Sequence, residues 1–209
     1  GANVEFPNYL DLERFNLSNI KFTNNPRIKH IKNLSYNGSG YQTFLNCTSL
    51  HTIECKPDGE FKLTGSLHET FWNCNNLRNI PTNIDLSAAS SGNRTFAGCY
   101  QLTMAQAKMI MDATKNTGLY SGNMWRFFEG CTGIKGQLPE DFFANAKALA
   151  GGNYFFIGCS GITGTLPPRL LQPCAGSKEQ RNRKNFFHYN QTGPGERTAG
   201  KQRSATAFH

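Results

Sequence analysis

A short motif built on phenylalanine and cysteine recurs along the chain and constrains its fold more than any other feature. The pattern Phe-x-x-Cys-x-x-(Leu/Ile) appears five times, and the copies at 128–139 and 156–167 are nearly the same. Two weaker copies carry Asn in place of Cys, so that the cysteine position is filled by Asn25, Cys47, Cys74, Cys99, Cys131, Cys159 and Asn190. Successive copies lie 22 to 32 residues apart. This is the period of leucine-rich and related solenoids, in which no single repeat can bury its apolar face alone.

A repeated position of this kind predicts a ladder of inward side chains, one per turn. Short donors there can satisfy buried backbone carbonyls of the neighbouring turn, and Asn25 and Asn190 fit the same donor role. Five of the seven cysteines are ladder positions, and no C-x-x-C pair exists. We therefore expect reduced, buried thiols and no metal site. Cys55 and Cys174 are expected to be inward residues as well.

The fold class expected from this pattern is an α/β solenoid of the leucine-rich repeat type, with about seven irregular repeats. Short parallel strands would line the concave side, and loops, 3₁₀ turns or short helices the convex side. Residues 1–21 are interpreted as an N-terminal cap, 22–193 as the solenoid and 194–209 as a basic polar tail. A solenoid needs atypical terminal units because one of their faces meets water.

Helices are predicted in the later repeats only. Thr103 and Gln106 form a capping box for a helix that would close at Gly118. A second helix is expected to begin at Pro139 and to end before Gly151. A third, starting at Pro167, should last about one turn because Pro173 forbids its continuation. Gly38–Gly40 and Ala88–Gly92 are expected to be a turn and a loop.

The repeat unit resembles the BspA-type leucine-rich repeats of bacterial surface proteins. The similarity lies in (Thr/Phe)-Phe-x-x-Cys-x-x-Leu-x-x-Ile, and in Asn83–Ser87 followed by Arg94–Cys99, which is similar to the Asp-Leu-Ser form of that repeat. Ile134-x-Gly-x-Leu-Pro and Ile162-x-Gly-x-Leu-Pro resemble plant-type repeats instead. The resemblance implies a secreted or surface-displayed recognition module used in adhesion to proteins, glycans or cells.

Several function classes have no support in the sequence. No nucleophile and base, paired carboxylates or phosphate-binding loop occur at catalytic spacing, so we expect neither an enzyme nor a cofactor. The net charge of +8 is concentrated near the C-terminus. There the basic residues are Lys178, Arg181, Arg183, Lys184, Arg197, Lys201 and Arg203, which indicates a solvated tail and no specific nucleic-acid site. No apolar run reaches the length of a membrane span.

The expected ligand-binding surface is the outward side of the concave strands. Counting alternately from the inward residues of the predicted strands places five polar side chains on it: His30, Lys32, Thr52, Glu54 and Asn79. This mixed-charge set suits hydrogen bonding to a protein or a glycan, although solvation alone explains it equally well. Two origins stay open. One is a bacterial surface or secreted adhesin, and the other is a receptor-binding or fibre module of a bacteriophage virion.

Overall fold

The chain winds as a parallel β-solenoid of about six turns with little helix. The computed structural model describes residues 8–115, 117–121, 123–146, 154–167 and 170. The elements are β1 (Tyr9–Asp11), β2 (His30–Leu34), β3 (Tyr36–Ser39), β4 (Thr52–Cys55), β5 (Phe61–Ser66), β6 (Ile84–Asp85), β7 (Ala89–Ser91), α1 (Met104–Asp112), β8 (Gly136–Gln137) and β9 (Ile162–Thr163). The predicted solenoid is therefore confirmed, whereas the leucine-rich repeat type and the α/β composition are not.

The first sheet consists of β1, β2 and β4, paired in parallel in that order. Its inward residues stack in register, with Leu10 beside Ile31 and Ile31 beside Ile53. Alternation of apolar and polar residues produces this arrangement, because successive side chains of a strand point to opposite faces. The segment interpreted as a cap thus adds a strand to the edge of this sheet.

A second parallel sheet, formed by β3, β5, β6 and β7, was not anticipated. Gly38 and Ser39 lie in β3, and Ala89 to Ser91 form β7, so the turn and the loop expected there were wrong. Small residues are weak strand formers, but here the backbone of the neighbouring turn supplies the hydrogen bonds. Gly38 is also required by space, since a Cβ there would lie 2.6 Å from the backbone nitrogen of Asn19.

A column of phenylalanine rings runs along the solenoid axis, one ring per turn. Neighbouring rings are stacked, with centroids 5.0 Å apart in the first three steps and 5.6 and 5.8 Å apart in the last two. The six rings belong to Phe22, Phe44, Phe71, Phe96, Phe128 and Phe156. Their spacing follows the separation of about 4.8 Å between hydrogen-bonded strands. The repeated Phe therefore sets one turn directly upon the next.

The five ladder cysteines lie beside this column with exposed fractions of 0 to 2%. Each thiol donates a hydrogen bond, 2.9–3.2 Å long, to the backbone carbonyl of the phenylalanine one turn earlier: Cys47 to Phe22, Cys74 to Phe44, Cys99 to Phe71, Cys131 to Phe96 and Cys159 to Phe128. All five are free. The inward thiols thus satisfy carbonyls that water does not reach.

The asparagine at the start of the ladder behaves differently from the expected donor. The Asn25 side-chain oxygen accepts hydrogen bonds from the backbone N–H groups of Arg27 and Ile28, at 3.1 and 3.0 Å. It therefore shapes its own turn, in the manner of an Asx turn. Cys55 is partly buried at the end of β4. Asn190 and Cys174 lie outside the described residues, as does the predicted tail at 194–209.

Helix α1 begins where the capping box predicted, because the Thr103 side chain accepts a hydrogen bond from Gln106 N. It ends at Asp112, before the expected stop at Gly118. The second predicted helix is replaced, over 139–146, by successive turns in which Phe142, Ala144 and Ala146 donate to carbonyls three residues earlier. Phe142 and Ala146 are buried all the same, whereas Ala144 is exposed. Beyond Pro167 only residue 170 is described, and Leu170 N donates to Pro167 O.

Candidate ligand-binding face

The outward side of the first sheet carries the five residues expected to bind a ligand. In β2, His30 and Lys32 flank the buried Ile31, and in β4, Thr52 and Glu54 flank the buried Ile53. Asn79 is exposed and joins the same surface through a parallel bridge to Thr52. We call this surface the first-sheet face and define it by Tyr9, Asp11, His30, Lys32, Thr52, Glu54 and Asn79.

One row of the face crosses the strands at Tyr9, His30, Thr52 and Asn79, which are in register. His30 Nδ1 lies 2.9 Å from Thr52 Oγ1, and the two share a hydrogen bond whose direction depends on the histidine tautomer. The His30 ring also stacks on His51, with centroids 5.7 Å apart. These contacts hold His30 in place while leaving it partly exposed, which reduces the entropy lost when a partner binds.

The second row of the face is charged. Lys32 Nζ lies 5.0 Å from the centre of the Tyr9 ring, and a hydrogen bond to Tyr9 together with the nearby Glu54 raises the pKa of Lys32. Asp11 accepts a hydrogen bond of 2.9 Å from Asn33 Nδ2, and this bond lowers the pKa of Asp11. The row therefore keeps one cation between carboxylates at neutral pH. Such a surface offers both donors and acceptors to a partner.

The first-sheet face ends after the bridge at Asn79. Its last row ends at Asn79, two residues before Pro81, which has no N–H to donate to a ladder. In the next turn α1 takes the place of a strand, and Gln106 Oε1 of this helix accepts a hydrogen bond from Ile80 N. A separate pair of strands, β8 and β9, follows later. The candidate face thus spans the first turns only.

Three residues at or beside the first-sheet face were not identified from the sequence. Tyr9 and Asp11 belong to the face because β1 extends the sheet, and the alternation in Tyr9-Leu10-Asp11-Leu12 was the available signal. His51 lies under His30 just before β4, and its Nδ1 is buried without a hydrogen-bond partner. No simple pattern identifies His51, because its position depends on how the turns stack.

The part of the chain that the structure describes contains no group of three or more His, Cys, Asp or Glu side chains arranged to hold a metal ion. It also contains no helix with the length and apolar character needed to cross a membrane.

Comparison with known proteins adds no assignment. No family model, curated protein or solved structure matches this chain.

Proposed function

We propose that this chain is a non-catalytic recognition module that binds a protein or a glycan through the first-sheet face. The observation that carries the proposal is the fixed polar arrangement of His30, Lys32 and Thr52, which are held by neighbours yet remain accessible. Extended strand surfaces of this kind are what solenoids use for recognition.

We further propose that the solenoid is a variant of the BspA-type leucine-rich repeat, displayed on a cell surface or secreted as an adhesin. The support is the resemblance of the repeat motif together with the thiol ladder, in which one short donor per turn satisfies the carbonyl of its neighbour. The second sheet is an additional feature of this chain's turns.

The test is binding of the purified chain to a glycan array and to an array of extracellular proteins. Any ligand found is then titrated against the variant His30→Ala/Lys32→Ala/Glu54→Ala. We expect a loss of affinity of about tenfold or more, since several polar contacts disappear together. The matched control is Lys115→Ala/Thr132→Ala/Glu140→Ala, which removes a similar set of exposed side chains elsewhere.

Unfolding curves of both variants must match that of the unmodified chain for the comparison to count. If the control weakens binding as much as the test variant, or if the test variant binds with unchanged affinity, the first-sheet face is not the binding site.

A further inference from the structure

A second ordered surface runs along the solenoid on the side of the phenylalanine turns. Arg94 lies between Trp72 and Trp125, with its guanidinium carbon 5.0 and 4.8 Å from the two ring centres. Arg126 lies 4.5 Å from Trp125 and 5.4 Å from Tyr154. We call this surface the arginine–aromatic stripe and define it by Trp72, Arg94, Trp125, Arg126 and Tyr154, with Glu69 and Glu129. All seven side chains except Glu69 are partly exposed.

The stripe is balanced in charge. Glu69 and Glu129 lie 3.8 and 3.5 Å from Arg94, and Glu129 is also paired with Arg126. Two cations therefore face two carboxylates. A polyanion such as a nucleic acid would gain little attraction here, because its binding depends on unmatched positive charge.

The composition of the stripe is that of a binding surface. Both tryptophans of the chain are on it, together with two arginines and a tyrosine. These residue types contribute most of the binding energy at protein recognition sites. The stacking also holds the guanidinium groups in fixed positions before any ligand arrives, which lowers the entropic cost of binding.

The backbone conformation is a separate indication that these side chains have a function. From Phe44 onward, each phenylalanine turn has two residues with positive φ, one two positions before the Phe and one two positions after it, whereas at Phe22 only the later position has this conformation. The later site always holds Asn or Gly, which adopt this conformation readily. The earlier site holds Gln42, Glu69, Arg94, Arg126 and Tyr154, with φ between 51° and 57°. Long side chains are thus kept at a position that disfavours them.

The repetition of the stripe favours a linear ligand. Its positive-φ residues occur once per turn, so it follows the 5.0–5.8 Å step of the phenylalanine column. It continues toward the first turns through the stacked pair Tyr41 and His68, and through a hydrogen bond from Gln42 to Glu69. A stable protein interface needs a broad patch with an apolar centre, of about 800 Å² on each partner. Here charged groups separate the aromatic rings, so no such centre exists.

We infer that the arginine–aromatic stripe binds a linear, uncharged polysaccharide lying parallel to the solenoid axis. One turn of the solenoid is close in length to one sugar ring of an extended chain, so equivalent groups can meet successive sugars. The guanidinium groups of Arg94 and Arg126 both lie over the Trp125 ring, so the sugar rings do not stack on this indole. The sugar hydroxyls instead form hydrogen bonds at the edges of these groups: the indole N–H and the guanidinium N–H groups donate, and the carboxylates accept. This site is distinct from the first-sheet face.

The experiment titrates the chain with linear β-1,4-linked hexasaccharides of glucose, N-acetylglucosamine and mannose. Because both tryptophans lie on the stripe, intrinsic fluorescence reports binding directly, and calorimetry checks it. In the variant Arg94→Asn/Arg126→Asn, asparagine accepts the positive φ but removes both guanidinium groups. We expect at least one hexasaccharide to bind and the variant to lose about tenfold in affinity or more.

The control variant is Asn46→Gly/Asn73→Gly, which changes the other positive-φ site in two turns and leaves the stripe intact. It should bind within about twofold of the unmodified chain. Should the arginine variant fail to fold, Trp125→Phe replaces it, since this change keeps an aromatic ring beside the two arginines and removes the pyrrole ring with its N–H. Absence of binding by all three hexasaccharides, or equal affinity in the stripe variants, overturns the inference.

The first-sheet variant His30→Ala/Lys32→Ala/Glu54→Ala separates this inference from the proposed function. It should bind the hexasaccharide like the unmodified chain. If this variant alone loses binding, the sugar occupies the first-sheet face. The proposed function then stands and the inference about the stripe fails.

Discussion

Alkaline pH should unfold this protein because its ladder thiols are buried. Burial raises the pKa of Cys74, Cys99 and Cys131 well above the ordinary thiol value, and that of Cys159 to about 12. In the unfolded chain the same thiols ionise near pH 8.5–9. Between these limits the unfolded chain loses protons that the folded chain keeps.

The sign of the effect follows from proton linkage. A folded-state pKa above the unfolded value gives stability that is complete below the unfolded pKa and is lost as the pH rises toward the folded pKa. Each such thiol costs about 1.4 kcal/mol per pH unit once the unfolded form ionises. The four thiols together remove about 5.5 kcal/mol per pH unit above pH ~9. Since the free energy of unfolding of a domain is about 5–15 kcal/mol, unfolding should occur about one to three pH units above this onset, at about pH 10–12.

The assay is urea unfolding followed by tryptophan fluorescence from about pH 7.5 to 10.5, with a reductant present throughout. The decisive variant is Cys99→Ser, because a hydroxyl donates the same hydrogen bond to Phe71 O but does not ionise. Its free energy of unfolding should fall less steeply with pH, by about 1.4 kcal/mol per unit. Tyrosine and lysine ionisation is common to both chains and cancels. Identical slopes in the two chains would refute the reasoning.

Three other predictions follow from the same packing. In the native protein Cys55, which is partly buried, should react with a thiol reagent before any ladder cysteine, and fast modification of Cys99 would contradict the ladder. Gly133→Ala should lower the free energy of unfolding by about 1–3 kcal/mol, because its Cβ would lie 2.5 Å from two backbone oxygens. In the control Gly118→Ala the nearest atom is 3.1 Å from the Cβ, so the free energy of unfolding should fall by less. Removal of 194–209 should leave urea unfolding cooperative, since the segment has no apolar periodicity, and a broadened transition would show that it packs.

The features that could be predicted from the sequence are those encoded within one turn. The Phe-x-x-Cys period predicted the solenoid, and the spacing of Ile31 and Ile53 predicted the strands that carry the first-sheet face. The capping box at Thr103 predicted where α1 begins. In each case the residues that determine the structure are neighbours in the chain, so their pattern is visible without knowing what packs against them.

The second sheet could not be predicted in this way because its strands depend on contacts between turns. Ala89 pairs with Gly65 of the preceding turn, and neither residue favours a strand by itself. The register is fixed by the stacked phenylalanines and the thiol ladder, which bring the two segments to hydrogen-bonding distance. The arginine–aromatic stripe was missed for the same reason, since its members meet only after the turns are stacked.

The residue types at the positive-φ positions are nevertheless a sequence feature that reflects how the turns stack. Two residues after each phenylalanine of the column the chain has Asn in the first three turns and Gly in the next three. The asparagines at 24, 46 and 73 also form their own ladder, with each side-chain N–H donating to the oxygen of the one before, at 2.8 and 2.9 Å. Where Gly98 follows, a Cβ would lie 3.1 Å from the Asn73 side-chain oxygen. The asparagine ladder thus ends at Asn73, and Gly98 leaves room for the Asn73 side-chain oxygen. The pattern Phe-x-(Asn/Gly)-(Cys/Asn) therefore encodes the turn through its backbone requirement as well as through its buried side chains.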